Sequence, residues 1–224
     1  MAADASEPSQ DLARFASALS HELRNRLSSV KITLQTLERH LSLEEKDARR
    51  LAIALGQVGA IDELLTEVLD WARPLPPSIR PVQLSLLVDE ALALVQPLLL
   101  EKNLRVEPPE GAEALTVLVD PSQGARALAD LLRAAAEASA ESGLVELSAR
   151  RSGRTVQLAV QDHGPGLGAE ERARAFDPFF TRQPRGLGLG LARARAIARR
   201  CQGELDLSSD PTGTLATLTL PGAR

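Results

Sequence analysis

A chain of 224 residues, 44% of them hydrophobic, has room for one or two domains and too much apolar content to stay unfolded. Its net charge of −4, with both signs interspersed, excludes a nucleic-acid binder that works through bulk positive charge. One cysteine, Cys201, excludes an internal disulfide and a cysteine-built metal site, and favours a reducing compartment. No apolar run approaches the roughly 20 residues of a membrane span. The opening MAADASEPSQ lacks the basic-then-apolar layout of a signal peptide. A cytoplasmic protein is expected, with no membrane segment and no sensor domain of its own.

Residues 1–10 read as a disordered lead. Apolar residues then recur at Leu12, Phe15, Leu19, Leu23, Leu27, Val30, Leu34, Leu37 and Leu41, in steps of three and four that mark a long amphipathic helix. Ser42-Leu43-Glu44-Glu45 carries a capping-box pattern, a serine followed three residues later by glutamate. It opens a second helix with apolar positions Ala48, Leu51, Leu55, Val58, Ile61, Leu65, Val68 and Ala72. The stretch Arg73-Pro74-Leu75-Pro76-Pro77 ends it, because proline cannot continue a helix. A lone hairpin over residues 11–73 leaves half of its apolar seam wet. Two copies close a four-helix bundle, so a homodimer is expected.

Residues 74–81 read as a proline-rich linker, and residues 82–224 as a second domain. Residues 86–101 are predicted helical, with a bend at Pro97. Residues 104–106 and 115–119 are predicted strands, and the alanine-rich residues 122–140 a helix. Residues 144–149 and 155–160 alternate as paired strands around Ser152-Gly153. Residues 193–200 are predicted helical, and residues 204–208 and 214–220 form a last hairpin. This mixture predicts an α/β sandwich with helices on one face of a sheet.

Three motifs in this second domain carry chemistry. Asp162-His163-Gly164-Pro165-Gly166-Leu167-Gly168 follows a predicted strand. An aspartate there can accept a hydrogen bond from an exocyclic amine, and the glycines allow positive φ and close approach to a ligand. Phe176-Asp177-Pro178-Phe179-Phe180 holds three of the four phenylalanines. Gly186-Leu187-Gly188-Leu189-Gly190-Leu191 opens a helix, whose free N–H groups and dipole suit a phosphate. In the hairpin, His21 lies two residues from both Leu19 and Leu23, about 200° around the helix, and so faces solvent. Glu22 beside it can accept a hydrogen bond from the imidazole and raise its basicity. Asn25 lies one turn on, on the same face. His40 and His163 are read as ordinary surface or structural histidines.

In this order and spacing the three motifs resemble the first glycine box, phenylalanine box and second glycine box of histidine kinases. Leu19-Ser20-His21-Glu22-Leu23-Arg24-Asn25 resembles the phospho-acceptor box of the same family. The resemblance covers nearly the whole chain. It implies a dimeric four-helix bundle followed by an ATPase fold shared with gyrase and heat-shock chaperones. It further implies ATP as phosphate donor, His21 as nucleophile, Glu22 as its base, and Asn25 as a residue that orients water to dephosphorylate a partner. Asp162 would hold adenine; Gly164, Gly166, Phe179, Gly186, Gly188, Gly190 and Leu191 would line the nucleotide, with residues 181–185 as a short lid. The implied partners are a response-regulator receiver domain and a separate sensor protein.

Two positions depart from the family. Its magnesium helix carries two asparagines four residues apart, where this chain has Asp130 and Ala134. Alanine cannot ligate a metal, so either Asp130 holds Mg2+, directly or through water, or the ion is lost. Arg26 stands where the acceptor box usually has proline. Two further readings stay open: a phosphotransferase or pseudokinase with a degenerate nucleotide domain, and a serine kinase or plain ATPase of the same superfamily.

Overall fold

The computed structural model describes residues 10–40, 44–72, 76–182 and 186–223. They fall into two units, Met1–Leu75 and Pro76–Arg224. Ser42-Leu43, Arg73-Pro74-Leu75, the lid residues 183–185, and the side chains of Leu12 and Phe15 lie outside what is described.

The first unit is a helical hairpin, α1 (Gln10–His40) and α2 (Glu45–Ala72). Helix α1 already includes Gln10, which the sequence reading left in the lead. It runs unbroken through Arg26, as expected once proline is absent there. Glu45 and Asp47 in the first turn of α2 complement its dipole. Arg24 ties the helices together: its Nε donates to Asp62 Oδ1 at 2.9 Å and its Nη2 to Thr66 Oγ1 at 3.0 Å. Ala16, Ser20, Val58 and Ala72 are buried in the single chain, whereas Leu19, Val30, Ile32, Leu37, Ile53 and Ile61 stay exposed.

The second unit begins with β1 (Arg80–Gln83), antiparallel to β3 (Thr116–Val119). Arg80 and Pro81, assigned to the linker from sequence, are therefore the first half of a strand. A five-stranded sheet follows in the order β2-β4-β5-β7-β6. Its strands are β2 (Arg105–Glu107), β4 (Leu144–Ser152), β5 (Thr155–Asp162), β6 (Glu204–Asp210) and β7 (Gly213–Pro221). Only β2–β4 is a parallel pair. The rims are β2 and β6, which carry the exposed charges Arg105, Glu107, Glu204, Asp206 and Asp210.

Along β5, Val156, Leu158, Val160 and Asp162 alternate inward. That face is covered by α4 (Pro121–Ala138) and α6 (Gly190–Arg200), α3 (Leu84–Glu101) packs on α4, and the short α5 (Ala169–Arg174) falls between β5 and α6 in the chain. Leu128, Leu131 and Leu132 of α4 are almost wholly buried, each stabilising the unit by on the order of 2 kcal/mol. Asp120 caps α4 by accepting from the Gln123 N–H at 3.1 Å, and Pro121 supplies the preset φ of its first turn. At the other end the Lys102 ammonium donates to the carbonyls of Ala136 (2.7 Å), Glu137 (3.2 Å) and Ser139 (2.5 Å), closing the helix C-terminus. Helix α3 continues through Pro97, which is exposed, so the carbonyl it leaves unpaired faces water.

Candidate functional site

In the hairpin, His21, Glu22 and Asn25 are all exposed on α1, as the helical spacing requires. Glu22 does not bond the neighbouring imidazole. Its Oε1 instead accepts from Arg26 Nη2 at 2.6 Å and Nε at 3.0 Å, an i,i+4 pair. Oε2 receives no hydrogen bond from a described residue. Arg26 was noted in sequence only as a missing proline; its spacing from Glu22 was the available signal.

In the second unit, Asp162 ends β5 and is buried. Its Oδ1 accepts from the Gly164 N–H at 2.8 Å and the Thr214 N–H at 3.2 Å. These two bonds orient the carboxylate, and Oδ2 accepts from no described residue, so it can take an exocyclic amine. Burial pushes the carboxyl above the usual aspartate range, against the pull of those two amides. Thr214, on β7, was not singled out from sequence because nothing local marks it; only the β5–β7 register brings it to Asp162.

Gly164, Gly166 and Gly188 are required by the protein's own backbone. At Gly166 (φ +68°) a Cβ would collide with the Asp210 carbonyl, and at Gly164 with the Ala138 carbonyl. The first glycine box is thus wedged between the end of α4 and the turn after β6. Gly188 (φ +67°) would strike the Phe180 carbonyl, and its own oxygen accepts from the Phe179 N–H at 3.1 Å. That bond joins the phenylalanine box to the second glycine box. Phe179 is exposed and holds φ +67°, a strained value for an aromatic residue. Phe176 packs on the core beneath the Arg195 guanidinium, 4.5 Å from its ring centre, and Arg174 lies 4.8 Å over Phe180.

Gly186 is exposed with open space around it, and Leu191 is half-buried against the core. Gly190 begins α6, and no side chain caps that helix, so its first N–H groups are available to an anion. Arg182 reaches back from the lid: its Nη1 donates to the Gly166 carbonyl at 2.7 Å and to Glu171 Oε2 at 3.2 Å. A cation between two glycine boxes was a legible signal that the sequence reading passed over.

Asp130 is where expectation and structure part. It is buried, and both oxygens are held by Arg193 of α6, Oδ2 by Nε at 2.9 Å and Oδ1 by Nη2 at 2.6 Å. Burial pushes its carboxyl up and the Arg193 charge opposes this; the two bonds from one guanidinium fix it as a carboxylate. Ala134 offers no donor. Among the described residues no group of three acidic, histidine or cysteine side chains could hold a metal ion. The side chains of α4 therefore do not fit a magnesium ion, and the expected role of Asp130 as its ligand is not one this geometry provides.

The fold and these motifs define a phospho-acceptor hairpin and a nucleotide-binding domain. Residues 11–76 match the His Kinase A (phospho-acceptor) domain, and residues 119–224 match the Histidine kinase-, DNA gyrase B-, and HSP90-like ATPase family. The chain belongs to the two-component histidine kinases, of which these domains form the core. It is 27% identical, over 94% of its length, to the signal transduction histidine-protein kinase AtoS of Escherichia coli. It spans 35%, 45% and 51% of three curated relatives that it matches over most of its own length. Full-length ShkA in complex with AMPPNP superposes with a TM-score of 0.77 at 26% identity, over 94% of this chain and 46% of that one. Histidine kinase ThkA, solved in complex with response regulator protein TrrA, shares the fold at 21% identity and a TM-score of 0.66, over 95% of this chain and 62% of that one. No described helix is long and apolar enough to cross a membrane.

Proposed function

We propose that the chain is an ATP-dependent protein-histidine kinase that phosphorylates His21 and passes the phosphoryl group to an aspartate of a response-regulator receiver domain. The observation that carries this reading is an exposed His21 beside a carboxylate with one unoccupied oxygen, in one chain with a nucleotide domain whose Asp162 is oriented to accept an amine. Adenine binds through its exocyclic amine to Asp162 Oδ2. The phosphates lie on the free N–H groups that open α6. The exposed imidazole nitrogen attacks the γ-phosphorus, an N–P bond forms, the bond to the ADP oxygen breaks, and the imidazole proton passes to Glu22 Oε2. Asn25 holds water against a phosphorylated receiver without acting as a base, since its amide does not ionise at neutral pH.

The apolar residues left exposed on the hairpin, Leu19, Val30 and Leu37 on α1 and Ile53 and Ile61 on α2, call for a second copy of the chain. The resulting homodimer works in the cytoplasm, where ATP is present and the buried free thiol of Cys201 stays reduced. A separate sensor protein would supply the signal. The phosphotransferase or pseudokinase alternative is not favoured, because the match to the ATPase family runs from the last residue of β3 to the end of the chain. Incubation with γ-labelled ATP tests the proposal. Acid-labile, base-stable label on the wild type, absent from His21→Gln, is expected; label that persists on His21→Gln overturns the assignment.

A further inference from the structure

We propose that this domain binds its nucleotide without a divalent cation held by the protein, because Arg193 of α6 occupies the α4 carboxylate, Asp130, at which such a cation would be coordinated. Both carboxylate oxygens already receive a guanidinium N–H, at 2.9 and 2.6 Å, and the two side chains are 5% and 8% exposed. Magnesium takes oxygen donors at about 2.0–2.1 Å in near-octahedral array; a carboxylate with one lone pair on each oxygen already engaged and its charge neutralised by a buried guanidinium is a poor ligand for it. One turn further along α4, Ala134 carries no donor atom.

The position of the pair matters as much as its occupancy. A Cβ built on Gly190, the first residue of α6, would lie 3.6 Å from both Cβ and Oδ1 of Asp130. The carboxylate therefore sits against the helix end whose N–H groups are free for phosphate, and Arg193 on the same helix clamps it there. A metal on α4 would connect that helix to the phosphates through the nucleotide. Here α4 and the phosphate-binding end of α6 are already joined, by a permanent cation that belongs to the chain. Magnesium that accompanies ATP then stays on the phosphates and water alone, and the protein does not distinguish metal-bound from metal-free nucleotide. Arg193 is in this sense a positioning residue that makes the metal dispensable for binding.

This inference rests on the chain binding ATP, and one calorimetric comparison separates the two. The imido analogue of ATP is titrated into the full chain in millimolar magnesium and again in EDTA. Dissociation constants that agree within about threefold are expected, and weakening by about tenfold or more in EDTA overturns the inference while leaving ATP binding intact. Absence of binding in both buffers overturns both. A triple substitution, Asp130→Asn with Ala134→Asn and Arg193→Leu, removes both charges together so that none is left buried alone. Once circular dichroism shows it folded, its affinity is expected to fall about tenfold or more on adding EDTA. A folded triple variant as indifferent to EDTA as the wild type also overturns the inference. If the variant does not fold, the wild-type comparison decides.

Discussion

Arg26 reaches back one helical turn and holds a single oxygen of Glu22, through Nη2 at 2.6 Å and Nε at 3.0 Å. Both side chains are well exposed, 74% and 61%, so the pair contributes little to stability, under about 1 kcal/mol. Under the proposed mechanism its effect falls on catalysis, because it fixes the carboxylate proposed to take the imidazole proton. Glu22→Gln is expected to slow His21 phosphorylation by about a hundredfold, the usual worth of a general base. Arg26→Ala is expected to slow it only several-fold and to leave thermal unfolding unchanged. Faster labelling in Arg26→Ala would mean that the arginine restrains Glu22 rather than positions it.

Acidification is expected to weaken ATP binding earlier than an ordinary aspartate would allow. Burial raises the Asp162 carboxyl, against the N–H groups of Gly164 and Thr214. In the proposed site the ionised form accepts the adenine amine, so affinity is expected to be lost as pH falls through that raised value. The same shift makes the charged group a cost to folding that is relieved at lower pH. Asp162→Asn removes the titration, and its affinity is expected to track pH only through the nucleotide's own ionisation. Identical pH profiles for wild type and Asp162→Asn would remove Asp162 from the adenine site.

Asp120 works in the opposite direction. Burial opposes its ionisation, but hydrogen bonds from the N–H groups of Gln123 and Ser78 and the hydroxyl of Ser122 outweigh it and hold the carboxyl below the usual range. Its contribution is thus fully present above the unfolded-state pKa and is lost as pH falls through the lower folded-state value. Asp120→Ala is expected to cost about 1 kcal/mol at neutral pH. Denaturant melts of both proteins should converge in acid; a gap that does not shrink would point to packing rather than the cap.

Sedimentation is expected to find a dimer at micromolar concentration, and a monomer for the double substitution Leu23→Asp and Leu27→Asp, since an unpaired charge in the closed bundle is costly. A monomeric wild type would contradict the bundle.

The four-and-three spacing of Leu23, Leu27 and Val30 and the two-residue alternation of β5 were readable because each is a property of a few consecutive residues. His21 facing outward followed from helix geometry alone. Contacts that join distant segments were not readable. Asp130 to Arg193, Asp162 to Thr214 and Arg182 to Gly166 each depend on sheet register or helix packing that no window of sequence contains. Strand β1 was missed for a similar reason: its four residues follow a proline run, include Pro81, and are strand only because β3 pairs with them. The glycines were recognised, but not this cause: Gly166 and Gly188 make room for the Asp210 and Phe180 carbonyls.

The charged rims of the five-stranded sheet also limit how chains can aggregate. Its edges offer unpaired backbone groups, the usual template for a foreign strand. Arg105 and Glu107 on one rim, and Glu204, Asp206 and Asp210 on the other, are exposed. An incoming strand would have to desolvate those charges, and a second copy of β6 would bring like acids together. Even at high concentration, strand addition and fibril growth through this domain are therefore disfavoured.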